Sequence, residues 1–202
     1  MLTIRSVVKR NGRIEPFDFS KIEKIVNLCN QGLDLPIERL YERLRNSLRE
    51  GISTREIQRE LVLAAINQIV SEDEKTKWSI LANRLMVADF RKEMRLRRGW
   101  EKTTYHGLFD EFSDFIDHLR QVGSYDLTWL EKFSEEEARE LYKWFKQYVA
   151  EHDPLWKGTK HMQFQKLLST YLNEKGGWYT ETPEEMWFLQ ALAAFVPTLE
   201  RE

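Results

Sequence analysis

Val7-Val8-Lys9-Arg10-Asn11-Gly12-Arg13-Ile14-Glu15-Pro16-Phe17-Asp18-Phe19-Ser20-Lys21-Ile22 is the most informative stretch of this 202-residue chain. Two short runs, Ile4 to Arg10 and Arg13 to Phe17, flank Asn11-Gly12. That dipeptide predicts a β-hairpin with a type I′ turn, because both central residues of the turn need positive φ. Pro16 has no amide hydrogen for a ladder, so its strand should be short or at an edge. From Ser20 the period becomes helical. Ile22, Ile25, Val26 and Cys29 fall on one face behind Ser20 as N-cap, and Gly32 supplies the stop.

Outward from this stretch the pattern is helical throughout. Pro36, a favoured first-turn residue, opens a second helix with Ile37, Leu40, Leu44 and Leu48 on one stripe, ended by Gly51. Ser53-Thr54-Arg55-Glu56 has capping-box spacing and opens a third, carrying Ile57, Leu61, Ala64, Ala65 and Ile69. A long fourth helix begins around Ser71–Glu74 and passes Trp78, Leu81, Leu85 and Val87. It ends in a basic cluster near Arg98 that complements the helix dipole. A boundary is expected near Gly99–Thr104. Further helices follow at Leu108–Val122, at Glu135–Ala150 behind Ser134, at Met162–Leu172, and from Thr182-Pro183 to near Glu200. Gly176-Gly177 predicts a turn or small hairpin.

Composition bounds the function classes. With 42% hydrophobic and 32% charged residues, the chain has the make-up of a soluble globular protein. A single cysteine, Cys29, excludes an internal disulfide and any multi-cysteine zinc site, and its apolar neighbours predict core packing. No stretch is long and apolar enough to span a membrane, and no secretory h-region follows Met1. A cytoplasmic protein without membrane or nucleic-acid partners is expected. Charge is uneven. Residues 1–100 hold 20 Lys and Arg against 14 Asp and Glu, and the remainder holds 11 against 19. The basic half is a candidate for anion binding.

Searches for catalytic patterns fail. There is no P-loop, no dinucleotide-type glycine motif and no His-Glu-x-x-His. His106, His118, His152 and His161 never pair at metal-ligand spacing, so neither catalytic nor metal-ligating residues are assigned. An anion site fares better. Lys9, Arg10 and Arg13 bracket the hairpin turn, Lys21 lies on the first turn of the next helix, and Arg91 and Lys92 close the long one. Converged on one pocket, these cations would suit a triphosphate, although on spacing alone they also read as ordinary solvated charges.

The stretch from Val7 to Ile22 resembles the opening of the ATP-cone, and so do Thr54 to Gln58 and Leu81-Ala82-Asn83-Arg84-Leu85 ending in Arg91-Lys92. The likeness covers roughly residues 3–95. Phe112-Ser113-Asp114-Phe115-Ile116, Gly123-Ser124-Tyr125-Asp126, Phe133-Ser134-Glu135-Glu136-Glu137 and Thr180-Glu181-Thr182-Pro183-Glu184-Glu185-Met186 are similar to the helical N-terminal segment of class I ribonucleotide reductase large subunits. The resemblance implies a mainly α chain: an ATP-cone at 1–98, a helical bundle under a β-hairpin lid, then a second all-helical domain at 99–202. It implies ATP or dATP, with Mg2+, as allosteric effector and no catalytic cofactor in this chain. Lys9 and Arg10 would be lid residues contacting phosphates or base, and Val7 would line the adenine pocket. Glu15 and Asp18 would read the base or ribose, while Lys21, Thr54, Arg91 and Lys92 would serve the phosphates. Gln58 stands where some relatives carry His, and it can hydrogen-bond but not charge.

The same resemblance implies an oxidoreductase of deoxyribonucleotide biosynthesis, serving DNA replication, whose catalytic cysteines lie on a ten-stranded barrel elsewhere. Alone, this chain should be inactive. The expected partners are that barrel-bearing part, a radical-generating small subunit, and further copies of the large subunit in an effector-dependent oligomer. The helix from Met186 to Leu199, with Trp187, Leu189, Leu192, Phe195 and Val196, would serve either as contact surface or as core. A transcriptional repressor carrying an ATP-cone would need four zinc-binding cysteines. A stand-alone nucleotide-binding regulator of another protein is the other alternative.

Overall fold

The computed structural model describes residues 4–68, 71–157 and 159–199. The expected Ile69 and the helix end near Glu200 lie outside them, as does the side chain of Val196. Among the described residues the fold is the expected one, mainly helical behind a two-stranded antiparallel hairpin. The chain divides into two compact units, one within Met1–Asp89 and Gly158–Phe164, the other within Phe90–Lys157 and Gln165–Glu202. The division expected from sequence fell about nine residues later.

The first unit begins with β1 (Ser6–Val8) and β2 (Ile14–Pro16), in the register Ser6 to Pro16, Val7 to Glu15 and Val8 to Ile14. The turn differs from the expected type I′. Gly12 alone has positive φ (81°), and its amide donates to the Lys9 carbonyl at 2.9 Å. The Lys9 amide reaches the Arg13 carbonyl at 2.7 Å, closing a three-residue loop. One left-handed residue suffices there, and Asn11 instead accepts the Arg13 amide on its side chain at 3.1 Å. Pro16 tolerates its place because β2 pairs on one side only, with β1.

Four helices complete this unit, with α4 running on into the other: α1 (Ser20–Asn30), α2 (Glu38–Ser47), α3 (Thr54–Ile66) and α4 (Glu72–Arg98). Ser20 is not the N-cap of α1. Its amide donates to the Asp18 carboxylate at 3.0 Å, so the acid two residues earlier satisfies the helix start. At the other end Arg84 of α4 donates to the carbonyls of Cys29 and Gln31 at 2.9 and 2.7 Å, placing a cation on the negative end of the α1 dipole. The second helix starts two residues after Pro36 and stops at Ser47, where Leu48 turns extended, well before Gly51. The capping box predicted for α3 is present: Glu56 N donates to Ser53 Oγ at 3.1 Å and Ser53 N to Glu56 Oε2 at 2.9 Å. Val26, Cys29, Leu40, Leu44, Ile52, Leu61, Leu81 and Leu85 are buried. Burial pushes the Cys29 thiol up to about 12, in keeping with a packing role.

The second unit contains α5 (Phe112–Val122), α6 (Glu135–His152), a short α7 (Pro154–Lys157), and α9 (Pro183–Leu199). Helix α8 (His161–Lys166) bridges the division in sequence. Leu108 and Phe109 are buried ahead of α5 but lie in the loop, so that helix starts later than expected. The expected Met162–Leu172 helix changes at Lys166, after which Leu172 N reaches back to Leu167 O at 3.2 Å, a widened turn. Near Gly176-Gly177 the small hairpin forms, with Glu174 bridging Tyr179. Phe145 stacks on Phe188 at 4.4 Å and Phe115 on Tyr142 at 4.7 Å, giving an aromatic core whose Tyr142 hydroxyl donates to the Phe109 carbonyl at 2.9 Å. Leu189 packs against this cluster and Leu192 belongs to it, whereas Trp187 and Phe195 are exposed.

Ser53→Ala removes one half of the capping box. It should lower unfolding free energy by about 1 kcal/mol, measurable as a shifted urea midpoint with unchanged slope.

Candidate functional site

Strand alternation decides which hairpin side chains meet. Val7 and Lys9 are two apart on the extended chain, and Val7 pairs with Glu15, so the three share a face. Val7 is buried. The Glu15 carboxylate lies 3.5 Å from the Lys9 ammonium and 3.8 Å from that of Lys21, on the first turn of α1. One acid thus gathers two of the expected cations. Arg10, at the turn, forms an ion pair with Asp89 of α4.

The hairpin is also tied to the start of α3. Val8 N donates to Ile52 O at 3.1 Å, Gly51 N donates to Ser6 O at 3.3 Å, and Val8 bridges Ser53 in parallel fashion. This brings Thr54, the first residue of α3, alongside the end of β1 where Lys9 follows. Gln58 lies four residues on, on the same side of α3, and its amide donates to the Leu85 carbonyl at 2.8 Å. Val7, Lys9, Glu15, Lys21 and Thr54 are therefore assembled around the hairpin. The Asp18 carboxylate is held below its ordinary range by hydrogen bonds from the Ser20 side chain and backbone. It marks the α1 entrance.

Arg91 is engaged by acids of the second unit. It is 2% exposed, and its guanidinium donates to both Asp153 oxygens at 3.1 and 2.6 Å, with Glu184 at 3.4 Å, all within the second unit. Helix geometry explains the departure. Residues advance about 100° each, so Arg91 points roughly 200° away from Asp89, whereas Lys92 returns to within about 60° of it. Arg91 and Lys92, adjacent in sequence, leave the helix about 100° apart. Lys92 is exposed and keeps the side of α4 that carries Asp89. Sequence reasoning missed Asp89 itself. Its signal was the three-residue spacing to Lys92, which puts an acid beside an expected phosphate ligand.

Arg98 is likewise consumed in the second unit, with bidentate bonds to Glu185 at 2.7 and 2.8 Å and further bonds to the carbonyls of Gly107 and Thr180, each at 2.9 Å. Among the described residues no cluster of three His, Cys, Asp or Glu could hold a metal ion, and no helix is long and apolar enough to cross a membrane.

Comparison with known families gives a match to the ATP cone domain over residues 5–93, the span that contains the hairpin, the first three helices and most of α4. The chain carries an ATP cone. Curated relatives extend the likeness past that domain. The chain is 30% identical over 135 residues to the ribonucleoside-diphosphate reductase subunit alpha of Enterobacteria phage T4, covering 65% of this chain and 16% of the relative. It is 36% identical over 99 residues to the alpha subunit of Synechocystis, covering 49% and 13%, and 38% identical over 85 residues to that of Helicobacter pylori, covering 42% and 10%. Beyond the ATP cone, this is homology to the N-terminal region of reductase alpha subunits. The chain spans about one sixth or less of the length of these relatives.

The buried ion pairs of the second unit set its acid response. Burial works against ionisation of Asp153, but hydrogen bonds from His106 and Arg91 outweigh it and hold the carboxyl well below the usual range. A depressed folded pKa stabilises above the unfolded value, near 4, and that stability drains away as pH falls toward the folded value. Thermal midpoints should therefore decline below about pH 4, and Asp153→Asn should flatten the decline. Arg91→Ala, which strands two acids, should cost about 3 kcal/mol in denaturant unfolding.

Proposed function

We propose that this chain is the allosteric N-terminal part of a ribonucleoside-diphosphate reductase large subunit, in which ATP or dATP at the cone switches overall reduction on or off. The observation that carries this reading is the cluster at the hairpin: Lys9 and Lys21 converge on Glu15, beside buried Val7 and the N-terminal turn of α3. The positive end of the α3 dipole favours an anion, and the two ammonium groups add charge near it. Val7 is the apolar neighbour an adenine ring would pack on. Lys9, Arg10, Lys21, Thr54 and Lys92 are the proposed phosphate contacts, Glu15 and Asp18 those to base or ribose. Gln58, with one amide hydrogen given to the Leu85 carbonyl, offers a neutral contact through its side-chain oxygen and its second amide hydrogen. Arg91 leaves the set.

Mg2+ would arrive on the nucleotide. Magnesium is commonly held by one or two carboxylates plus substrate phosphates. The chain's sole thiol is buried in the cone. Reduction is accordingly assigned to a barrel-bearing part with its own cysteines and to a radical-generating small subunit. An effector that switches the enzyme must bind two of its states unequally, and a change of large-subunit association is the proposed form.

Calorimetric titration of the purified chain with ATP and with dATP, in Mg2+, tests the site. Saturable binding is expected, weakened by roughly a hundredfold or more in Lys9→Ala/Lys92→Ala, since each charged contact to phosphate is worth about tenfold. A folded chain that binds neither nucleotide would overturn the proposal.

A further inference from the structure

The cations at the hairpin are not equally available. Lys9 and Lys21 share Glu15 across 3.5 and 3.8 Å, and their side chains are 27% and 60% exposed. Such loose, wet pairs yield readily to a better anion. Arg10 is different. Its side chain is 7% exposed and is ion-paired with Asp89 of α4. A guanidinium withdrawn this far from water does not release its carboxylate unless another anion replaces it. A phosphate is such a replacement, since it takes guanidinium donors in the same forked geometry.

We propose that Asp89 is a built-in competitor for nucleotide phosphate: it is ion-paired with Arg10, and an effector must displace it to engage that residue. The inference rests on the nucleotide reading given above. Asp89 opposes the ligand twice. Beforehand it holds the donor that phosphate needs. Afterwards it is left as an anion near the entering phosphates, with Lys92, three residues on along α4, as the offsetting charge. The acid thus raises the effector concentration at which the cone fills. Because it acts on phosphate and not on sugar, it shifts ATP and dATP alike.

The test is titration of the full chain with ATP, dATP and inorganic tripolyphosphate, comparing wild type with Asp89→Asn. The amide keeps the shape and removes the charge. Binding of all three should tighten by roughly threefold to tenfold, the size of one part-buried charge pair, with the ATP to dATP ratio unchanged. In an Arg10→Ala background the same substitution should give no gain. Asp89→Ser is the second variant should Asn disturb folding, which thermal unfolding would reveal. Equal or weaker binding by a folded Asp89 variant overturns the competitor, and so does a gain that survives Arg10→Ala or is confined to one nucleotide. Silence from wild type and variants alike overturns the nucleotide reading, and the competitor with it.

Discussion

An arginine that leaves water must take a counter-charge with it, and this requirement organises both units of the chain. Arg10 is held by Asp89, Arg91 by Asp153 and Glu184, and Arg98 by Glu185. Each pair is drawn from segments far apart in sequence, so each fixes a long-range closure as well as a charge. Removing one partner from such a pair is far more damaging than never having built it, because the survivor remains buried and uncompensated. All three pairs involve α4. Its middle turns bury Trp78, Leu81 and Leu85, while its last turns carry the arginines of the second unit.

The second unit shows how one acid can satisfy several demands. Glu185 accepts the Thr182 amide at 2.8 Å and so closes a capping box at the start of α9, while the same carboxylate holds Arg98. Pro183 occupies the first helical position, where its missing amide hydrogen is no loss. Neighbouring Glu184 is fully buried against Arg91, and burial drives its pKa up in spite of that partner. Thr182-Pro183-Glu184-Glu185 is therefore helix start and electrostatic anchor together. This gives a physical reason for four consecutive residues, three of them polar, to lie almost wholly out of water.

Local chemistry was the legible part. The capping box at Ser53, the N-cap at Ser134, the hairpin around Gly12, and the apolar stripes of α1 and α3 depend on residues a few positions apart, and all are where the sequence indicates. Boundaries set by tertiary contacts were not. Ser20 looks like a cap, yet Asp18 supplies it, and Leu108 reads as helix but is buried from a loop. The site was legible as a set of cations and illegible as a set of pairs. Nothing in the order of residues says that Arg91 will find Asp153, sixty-two positions later, or that Arg10 will find Asp89. Charge partners are chosen by the fold, and only then do adjacent cations such as Arg91 and Lys92 acquire different roles.

The buried sulfur of Cys29 has a use beyond packing. It is the chain's one thiol, fully enclosed in α1, and its proton is held so tightly that almost no thiolate exists at neutral pH. Alkylating reagents attack the thiolate, so modification must wait for the surrounding helices to part. Labelling at this atom is consequently a clock for opening of the cone alone, blind to the other unit. The molecule carries its own local stopwatch, needing no introduced probe.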